Sequence, residues 1–299
     1  MQLFRKIVSL QLIYNSLMLI FNKQIELVAH LLKVSKPETT IGLVPTMGAL
    51  HEGHLSLLIA SLRSNTITII SVFVNPTQFN NPDDLVKYPR TLEKDIEKVQ
   101  TISNEIIVFA PSINDIYEGN TISQHFDFDG LENQMEGKFR PGHFDGVGTI
   151  VKHLFEIAKP TNAYFGEKDF QQLQIIKKLV YKLKIPVNII GCSIYREKNG
   201  LAMSSRNELL TEKEKVAAAI IYKTLLEAKV MFAKKSPKSI TEWVNKTFQA
   251  NPAFQLEYFQ IADEATLLPC IKKNKSIKYR AFIAVFVNKI RLIDTLSLN

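Results

Sequence analysis

The chain has 299 residues, 46% of them hydrophobic and 22% charged, with a formal net charge of +8 at pH 7. That length buries a substantial core in one large or two medium domains, and the composition is that of an ordinary soluble globular protein, which excludes a disordered or fibrous chain. The excess lysines are spread along the sequence rather than gathered in an arginine-rich or aromatic-interleaved run, so solvated faces account for the charge and no nucleic-acid partner is expected. Cys192 and Cys270 form no C-x-x-C or metal-ligand pattern, which reads as idle thiols in a reducing cytoplasm.

At the amino terminus, Arg5-Lys6 precedes an apolar stretch over residues 7–21 that mimics a secretion signal. Gln11, Asn15 and Ser16 interrupt it and no small-residue cleavage pattern follows. The run also falls short of the roughly 20 apolar residues a membrane span needs, so no membrane partner is expected. Beyond it the elements alternate: a short strand near Leu19, a helix over 24–33, and an apolar strand over 41–44. That strand runs into Val44-Pro45-Thr46-Met47-Gly48-Ala49-Leu50-His51-Glu52-Gly53-His54 and then into the helical Leu55-Ser56-Leu57-Leu58. His51 and His54, three residues apart in a first helical turn, project from one side beside free backbone N–H groups and the positive end of the helix dipole. A phosphate chain suits such an end, and Gly48 and Gly53 allow backbone or ligand to approach closely.

Strands over 66–73, 106–109, 163–165 and 187–190 then alternate with helices over 91–101, 146–158 and 170–183. Apolar strands alternating with helices predict a parallel sheet covered on both faces, an α/β Rossmann-like domain whose ligands gather beyond the strand C-terminal ends. The histidine motif, Asn75, Gln78 and residues 166–169 all fall there. After about residue 195 the character changes to polar helices over 211–232 and 239–250 and strands over 256–261 and 281–287, a smaller α+β domain. Asp294 and the tail are uninformative, and there is no internal repeat or low-complexity tract. The expected domains are thus 1–194, for nucleotide and substrate, and 195–299, a lid that closes over the nucleotide. The lid begins with Arg196-Glu197-Lys198-Asn199-Gly200-Leu201-Ala202-Met203-Ser204-Ser205-Arg206-Asn207, whose hydroxyls and cations suit phosphates. Taken alone, a polar surface turn capped by a serine explains that loop better.

Met203-Ser204-Ser205-Arg206, however, resembles the second signature of the nucleotidyltransferases that carry an H-x-G-H motif. Three further blocks narrow the resemblance: Phe73-Val74-Asn75-Pro76-Thr77-Gln78-Phe79, Arg140-Pro141-Gly142-His143-Phe144-Asp145-Gly146-Val147 and Tyr164-Phe165-Gly166-Glu167-Lys168-Asp169-Phe170-Gln171-Gln172-Leu173. With Tyr88-Pro89-Arg90-Thr91 between them, the region from Gly42 to Asn207 resembles the pantothenate synthetase (pantoate–beta-alanine ligase) family. Residues 1–17 depart from its pattern and read as an extension.

The resemblance implies an ATP-dependent ligase working in two steps. Pantoate attacks the α-phosphate of ATP to give a pantoyl adenylate and pyrophosphate, and β-alanine then displaces AMP. It implies catalytic roles for His54, His51 and Lys168. The nucleotide is expected against Met47-Gly48-Ala49-Leu50-His51-Glu52-Gly53-His54, Gly166-Glu167-Lys168-Asp169, Tyr195 and Met203-Ser204-Ser205-Arg206, and the acid against Gln78, Gln172, Asn75 and Arg140. Met47 and Phe73 would form the apolar wall against the gem-dimethyl group. Mg²⁺ is expected with the ATP, with Asp95 as a protein ligand, and the family implies a cytoplasmic homodimer. His143 is expected to order a loop, while His30, His125 and His153 read as surface or satisfied interior residues. Two rivals share parts of the pattern: a nucleotidyltransferase with another acceptor, and a tRNA-binding module, which predicts salt-sensitive RNA affinity.

Overall fold

The computed structural model describes residues 18–299; the extension expected over residues 1–17 lies outside the described residues. In chain order come β1 (Ile20–Phe21), α1 (Gln24–Val34), β2 (Ile41–Thr46), α2 (Glu52–Leu62), β3 (Ile67–Val72), α3 (Pro82–Lys87), α4 (Leu92–Gln100) and β4 (Ile107–Phe109). There follow α5 (Ile113–Tyr117), α6 (Met135–Phe139), α7 (His143–Ala158), β5 (Asn162–Gly166), α8 (Phe170–Leu183) and β6 (Asn188–Cys192). The strands form one parallel sheet in the order β1-β4-β3-β2-β5-β6. Because side chains alternate along a strand, Leu43 and Ile69 enter a core with Leu27, Ile150, Leu154 and Ile176 on one face. Val44 and Ile70 enter another with Leu55, Leu58 and Val99 on the opposite face.

From β2 the chain steps outward to β3 and β4, then returns to the other flank of β2 with β5, which makes the β2–β5 boundary a topological switch point. The two strands pair only at Gly42↔Asn162 and Leu43↔Ala163, whereas β2 and β3 stay paired as far as Thr46↔Val72. A crevice therefore opens beyond Leu43. The sequence predicts a strand ending before Pro45, since proline lacks the ladder donor, yet β2 continues to Thr46. Thr46 turns its carbonyl to the Phe73 N–H on the β3 side, so Pro45 faces the crevice, where no partner strand calls for its N–H.

The remaining residues build the smaller α+β unit. α9 (Glu212–Phe232) and α10 (Pro237–Gln249) pack on an antiparallel sheet of β7 (Phe254–Asp263), β8 (Tyr279–Val287) and β9 (Ile290–Ser297) around Ile221, Leu225, Ile240, Val244 and Ile283. Thr211 starts α9 through a capping box, accepting from the Glu214 N–H while the Glu214 carboxylate accepts from the Thr211 N–H. β9 is the strand missing from the sequence reading, because Arg291 and Asp294 interrupt its apolar alternation. Arg291 finds Glu136 and Glu257, and buried Asp294 takes two hydrogen bonds from Arg196, at 2.7 and 3.0 Å.

The two sheets are joined by both apolar and charged contacts. Ala262, Leu267 and Phe282 complete the core of the first unit, with the Phe170 and Phe282 rings 6.0 Å apart. Glu136 accepts from Arg291 through both oxygens at 2.8 Å and from the Tyr258 hydroxyl at 2.7 Å. Burial alone would raise the Glu136 carboxyl, but Arg291 and Tyr258 outweigh it and hold it at about 2. Among the described residues no helix is long and apolar enough to cross a membrane.

Gly146 is needed where α7 crosses the 3-10 turn Pro76–Gln78, because a Cβ there would collide with the Thr77 carbonyl and lie 2.7 Å from the Gln78 Cα. Gly146→Ala is expected to lower the unfolding free energy by about 1–3 kcal/mol. The readout is an earlier urea midpoint at unchanged m-value; an unmoved midpoint would show that α7 can shift without cost.

Candidate active site

The turn that leaves β2 is held from α4. Both oxygens of buried Asp95 accept backbone N–H groups, Ala49 at 3.0 Å and Leu50 at 2.7 Å, while the Thr91 hydroxyl donates to the same carboxylate and Lys98 Nζ donates to the Leu50 carbonyl. Thr46 Oγ1 accepts the Gly48 N–H and donates to the Ser71 carbonyl. Gly48 (φ 80°) and Ala49 (φ 49°) both lie in the left-handed region, which an alanine occupies only when its surroundings fix it there. The turn thus delivers His51 to the N-cap of α2 and His54 to its third position.

The two imidazoles stack with centroids 4.0 Å apart. Burial comes first in lowering both pKa values, and the neighbouring Lys168 and Lys98 charges add to it, leaving His51 at about 2 and His54 at about 4. Both rings are neutral at pH 7. His54 Nδ1 accepts the His51 N–H at 3.3 Å, so the proton sits on Nε2, which is left as a hydrogen-bond donor.

His54 lines a cavity of about 170 Å³ in the crevice between β2 and β5. Asn75, Gln78 and Gln172 supply its polar wall, while Met47, Phe73, Val147, Ile150, Val151 and Leu154 supply the apolar one. Gln78 and Gln172 are therefore brought together with His54 as the sequence led one to expect. Asn75 lines the cavity with its amide already committed: Nδ2 donates to the Gly146 carbonyl and to Gln78 Oε1, and Oδ1 accepts from Thr77 and Tyr117. Since a carbonyl only accepts, this chain of bonds fixes Gln78 with its NH₂ facing Met47 Sδ, a weak acceptor that a ligand oxygen can displace. The α7 wall went unrecognised, though its signal was the stripe Val147, Ile150, Val151, Leu154, which any core helix also shows.

Arg140 reaches this turn from outside, donating to the Gln78 carbonyl at 3.3 Å, with His143 Nδ1 2.8 Å from the same oxygen. His143 is held at about 4 by burial and by Arg140, so it orders the loop as a neutral ring. Of Gly166-Glu167-Lys168-Asp169, Lys168 and Asp169 face the crevice and lie 3.5 Å apart. Glu167 instead accepts from Arg280 of β8, whose guanidinium stacks 3.9 Å over Phe170.

The second signature loop closes on itself and on the first unit. Met203 N–H donates to the Tyr195 carbonyl, and Tyr195 Cβ would sit 3.7 Å from a Cβ at Gly53, beside the start of α2. Ser204 Oγ caps the Arg206 N–H, and Ser205 Oγ lies 3.4 Å from the Tyr88 hydroxyl. Arg206 is expected to grip phosphate, yet it donates to Asp84 of α3 at 3.1 Å. That pair is partly exposed, the kind worth little, so a polyanion could displace it.

The expectation of Asp95 as a metal ligand is corrected. Its oxygens are taken up inside the turn, and among the described residues no three His, Cys, Asp or Glu side chains cluster as a metal site. The donor set does not fit a protein-held Mg²⁺.

Comparisons with known proteins bear on the family and the fold. The model of a family described as "Pantoate-beta-alanine ligase" matches residues 19–297. A pantothenate synthetase of Flavobacterium psychrophilum is 63% identical over 94% of this chain and 100% of its own, and one of Christiangramia forsetii is 53% identical over 94% and 100%. The crystal structure of pantothenate synthetase from Thermus thermophilus superposes with a TM-score of 0.86 at 36% identity, covering 94% of this chain and 99% of that one. Pantoate-beta-alanine ligase from Francisella tularensis, complexed with beta-gamma ATP and beta-alanine, gives 0.76 at 35% identity over 94% and 98%.

The depressed imidazoles make a pH prediction. A histidine whose folded pKa lies below the unfolded value of about 6.5 takes its proton first in the unfolded chain. Its contribution is therefore fully present above pH 6.5 and is lost as pH falls toward the folded values of about 4 for His54 and about 2 for His51. Near pH 5 the wild-type stability curve is expected to be steeper than that of a His51→Gln/His54→Gln variant, by roughly 1.4 kcal/mol per pH unit for each imidazole. Denaturant titrations at pH 7, 6, 5 and 4.5 provide the check, and parallel curves would show that the rings titrate normally.

Proposed function

The chain belongs to the pantoate-beta-alanine ligase family, and we propose on that premise that it condenses (R)-pantoate with β-alanine using ATP, through a bound pantoyl adenylate, with release of AMP and pyrophosphate. One observation carries the reading: a neutral His54, fixed as an Nε2–H donor at the start of a helix, opens onto a small cavity walled by amides on one side and aliphatic groups on the other. The apolar wall fits a gem-dimethyl group and the amides fit hydroxyls beside a carboxylate, without adding charge.

In the first step a pantoate carboxylate oxygen attacks the α-phosphorus and the bond to pyrophosphate breaks. Charge grows on the phosphate oxygens, so catalysis rests on alignment and preorganised donors. His54 Nε2–H, His51, the α2 N-terminus and the Lys168 ammonium supply those donors. Met47 to Gly53 and Gly166 frame the nucleotide, and Tyr195, Met203, Ser204 and Ser205 close from the other side, joined by Arg206 once it leaves Asp84. In the second step the β-alanine nitrogen attacks the acyl carbon, the C–O bond to AMP breaks, and the nitrogen's protons pass to solvent. From the family resemblance we further propose a cytoplasmic homodimer, a domain boundary near residue 194 with the C-terminal unit as the lid, and Mg²⁺ carried in on the ATP phosphates.

AMP release from purified protein is expected only when ATP, pantoate and β-alanine are all present, and ATP–pyrophosphate exchange only with pantoate. Exchange driven by a mononucleotide instead would overturn the proposal. His54→Ala is expected to keep the fold and lower adenylation by at least about a hundredfold, as loss of one transition-state donor does; near-wild-type turnover would remove His54 from the mechanism.

A further inference from the structure

Two side chains of α4, Asp95 and Lys98, are spaced i, i+3 and so lie on one face of the helix. Asp95 accepts the Leu50 N–H at 2.7 Å, and half-buried Lys98 donates through Nζ to the Leu50 carbonyl. The carboxylate and the ammonium thus take hold of both backbone polar groups of one residue. Asp95 fixes the turn before the histidines, whereas Lys98 acts on the peptide that joins Leu50 to His51.

The Leu50 carbonyl and the His51 N–H belong to that one planar group and point to opposite sides of it. Lys98 holds the oxygen, and the N–H meets His54 Nδ1 at 3.3 Å. That bond is long beside the usual distance of about 2.9–3.0 Å, so by itself it holds the ring weakly. A cation on the carbonyl compensates in two ways. It stops the peptide from turning, and it draws electron density through the amide, which makes the N–H a stronger donor. The charged groups that face the His54 ring are Lys168, Asp169 and Lys98; after burial, Lys168 and Lys98 oppose protonation and Asp169 favours it.

We infer that Lys98 is a positioning residue for His54 and acts on it through the Leu50–His51 peptide. Nζ–H bonds the carbonyl oxygen, the amide N–H bonds Nδ1, and Nε2–H is left as a strengthened donor. No proton moves along this chain, and Lys98 does not line the cavity. The inference deepens the ligase reading above and rests on it for what Nε2–H donates to, while the chain of bonds is observable without it.

The test joins a double-mutant cycle to a nuclear resonance. Pantoate-driven ATP–pyrophosphate exchange is measured for wild type, Lys98→Met, Lys98→Arg, His54→Ala and the Lys98→Met/His54→Ala pair. Lys98→Met keeps the aliphatic stem and is expected to lower kcat by about tenfold, the scale of one charged hydrogen bond, with KM for pantoate within about twofold. Lys98→Arg, which keeps the charge, is expected to restore kcat to within about threefold. In the His54→Ala background the methionine substitution is expected to cost less than about twofold more. In parallel, the ¹⁵N resonance of His54 Nδ1 in histidine-labelled protein is expected to move in Lys98→Met toward the position of an unbonded ring nitrogen and to return in Lys98→Arg. Lys98→Gln, polar and uncharged, takes the place of the methionine variant if that one fails to fold. Wild-type exchange in Lys98→Met, an unmoved Nδ1 resonance, or the full tenfold loss repeated without His54 would each overturn the inference, since Lys98 would then act on the turn alone or not at all. No pantoate-driven exchange in the wild type would instead bring down the ligase reading and leave the resonance to decide whether Lys98 reaches the ring.

Discussion

The buried carboxylate of Asp95 is the contact on which the site depends. Two consecutive backbone N–H groups, at Ala49 and Leu50, point inward from a turn with left-handed φ at Gly48 and Ala49. Left unpaired in the interior each would cost about 1–3 kcal/mol, and the turn would relax. With the carboxylate in place the turn is fixed, α2 starts at Glu52, and the His51 N–H meets His54 Nδ1. The tautomer of the key imidazole is therefore set by a side chain on α4, 45 residues beyond Leu50, that does not line the cavity.

Charge across the two units is arranged by a related rule, in which buried cations are paired with carboxylates on the opposite unit. Arg291 with Glu136, and Arg280 with Glu167, bind the antiparallel sheet to segments that flank the crevice. These pairs and the Phe170–Phe282 contact hold the sheets together, while the pair most exposed to water, Arg206 with Asp84, joins the signature loop to α3. Any closing movement is consequently easiest at that loop, because opening an exposed ion pair costs little and opening a buried one costs much.

Much of this was legible in the sequence, for physical reasons. Strands β2 to β6 are apolar runs bounded by turn residues, so the parallel sheet follows from alternation, and the histidines follow from the strand-to-helix turn. The sequence singles out His54, Gln78 and Gln172, and the three share one cavity. What escaped were features that need a partner far away in sequence. β9 was hidden because Asp294 looks like a strand breaker until Arg196 is seen 98 residues away. The partners that Glu167 and Arg206 find, Arg280 and Asp84, escaped because neither segment gives a hint of them. Asp95 looked like a metal ligand because a carboxylate near a phosphate site suggests one, whereas the backbone of the turn claims it first.

Two adjacent glutamines divide labour by their angle on α8: Gln171 turns inward to tie down the segment before α6, and Gln172 turns to the cavity. Successive helical residues differ by about 100° of rotation, so this division survives only if the count from β5 is kept. Deleting a single residue between Gly166 and Phe170 would carry Gln172 to the inward position and Leu173 to the cavity, and inserting one would carry Gln171 to the cavity and Phe170 to the inward position. The junction is thus expected to tolerate changes of side chain far better than changes of length.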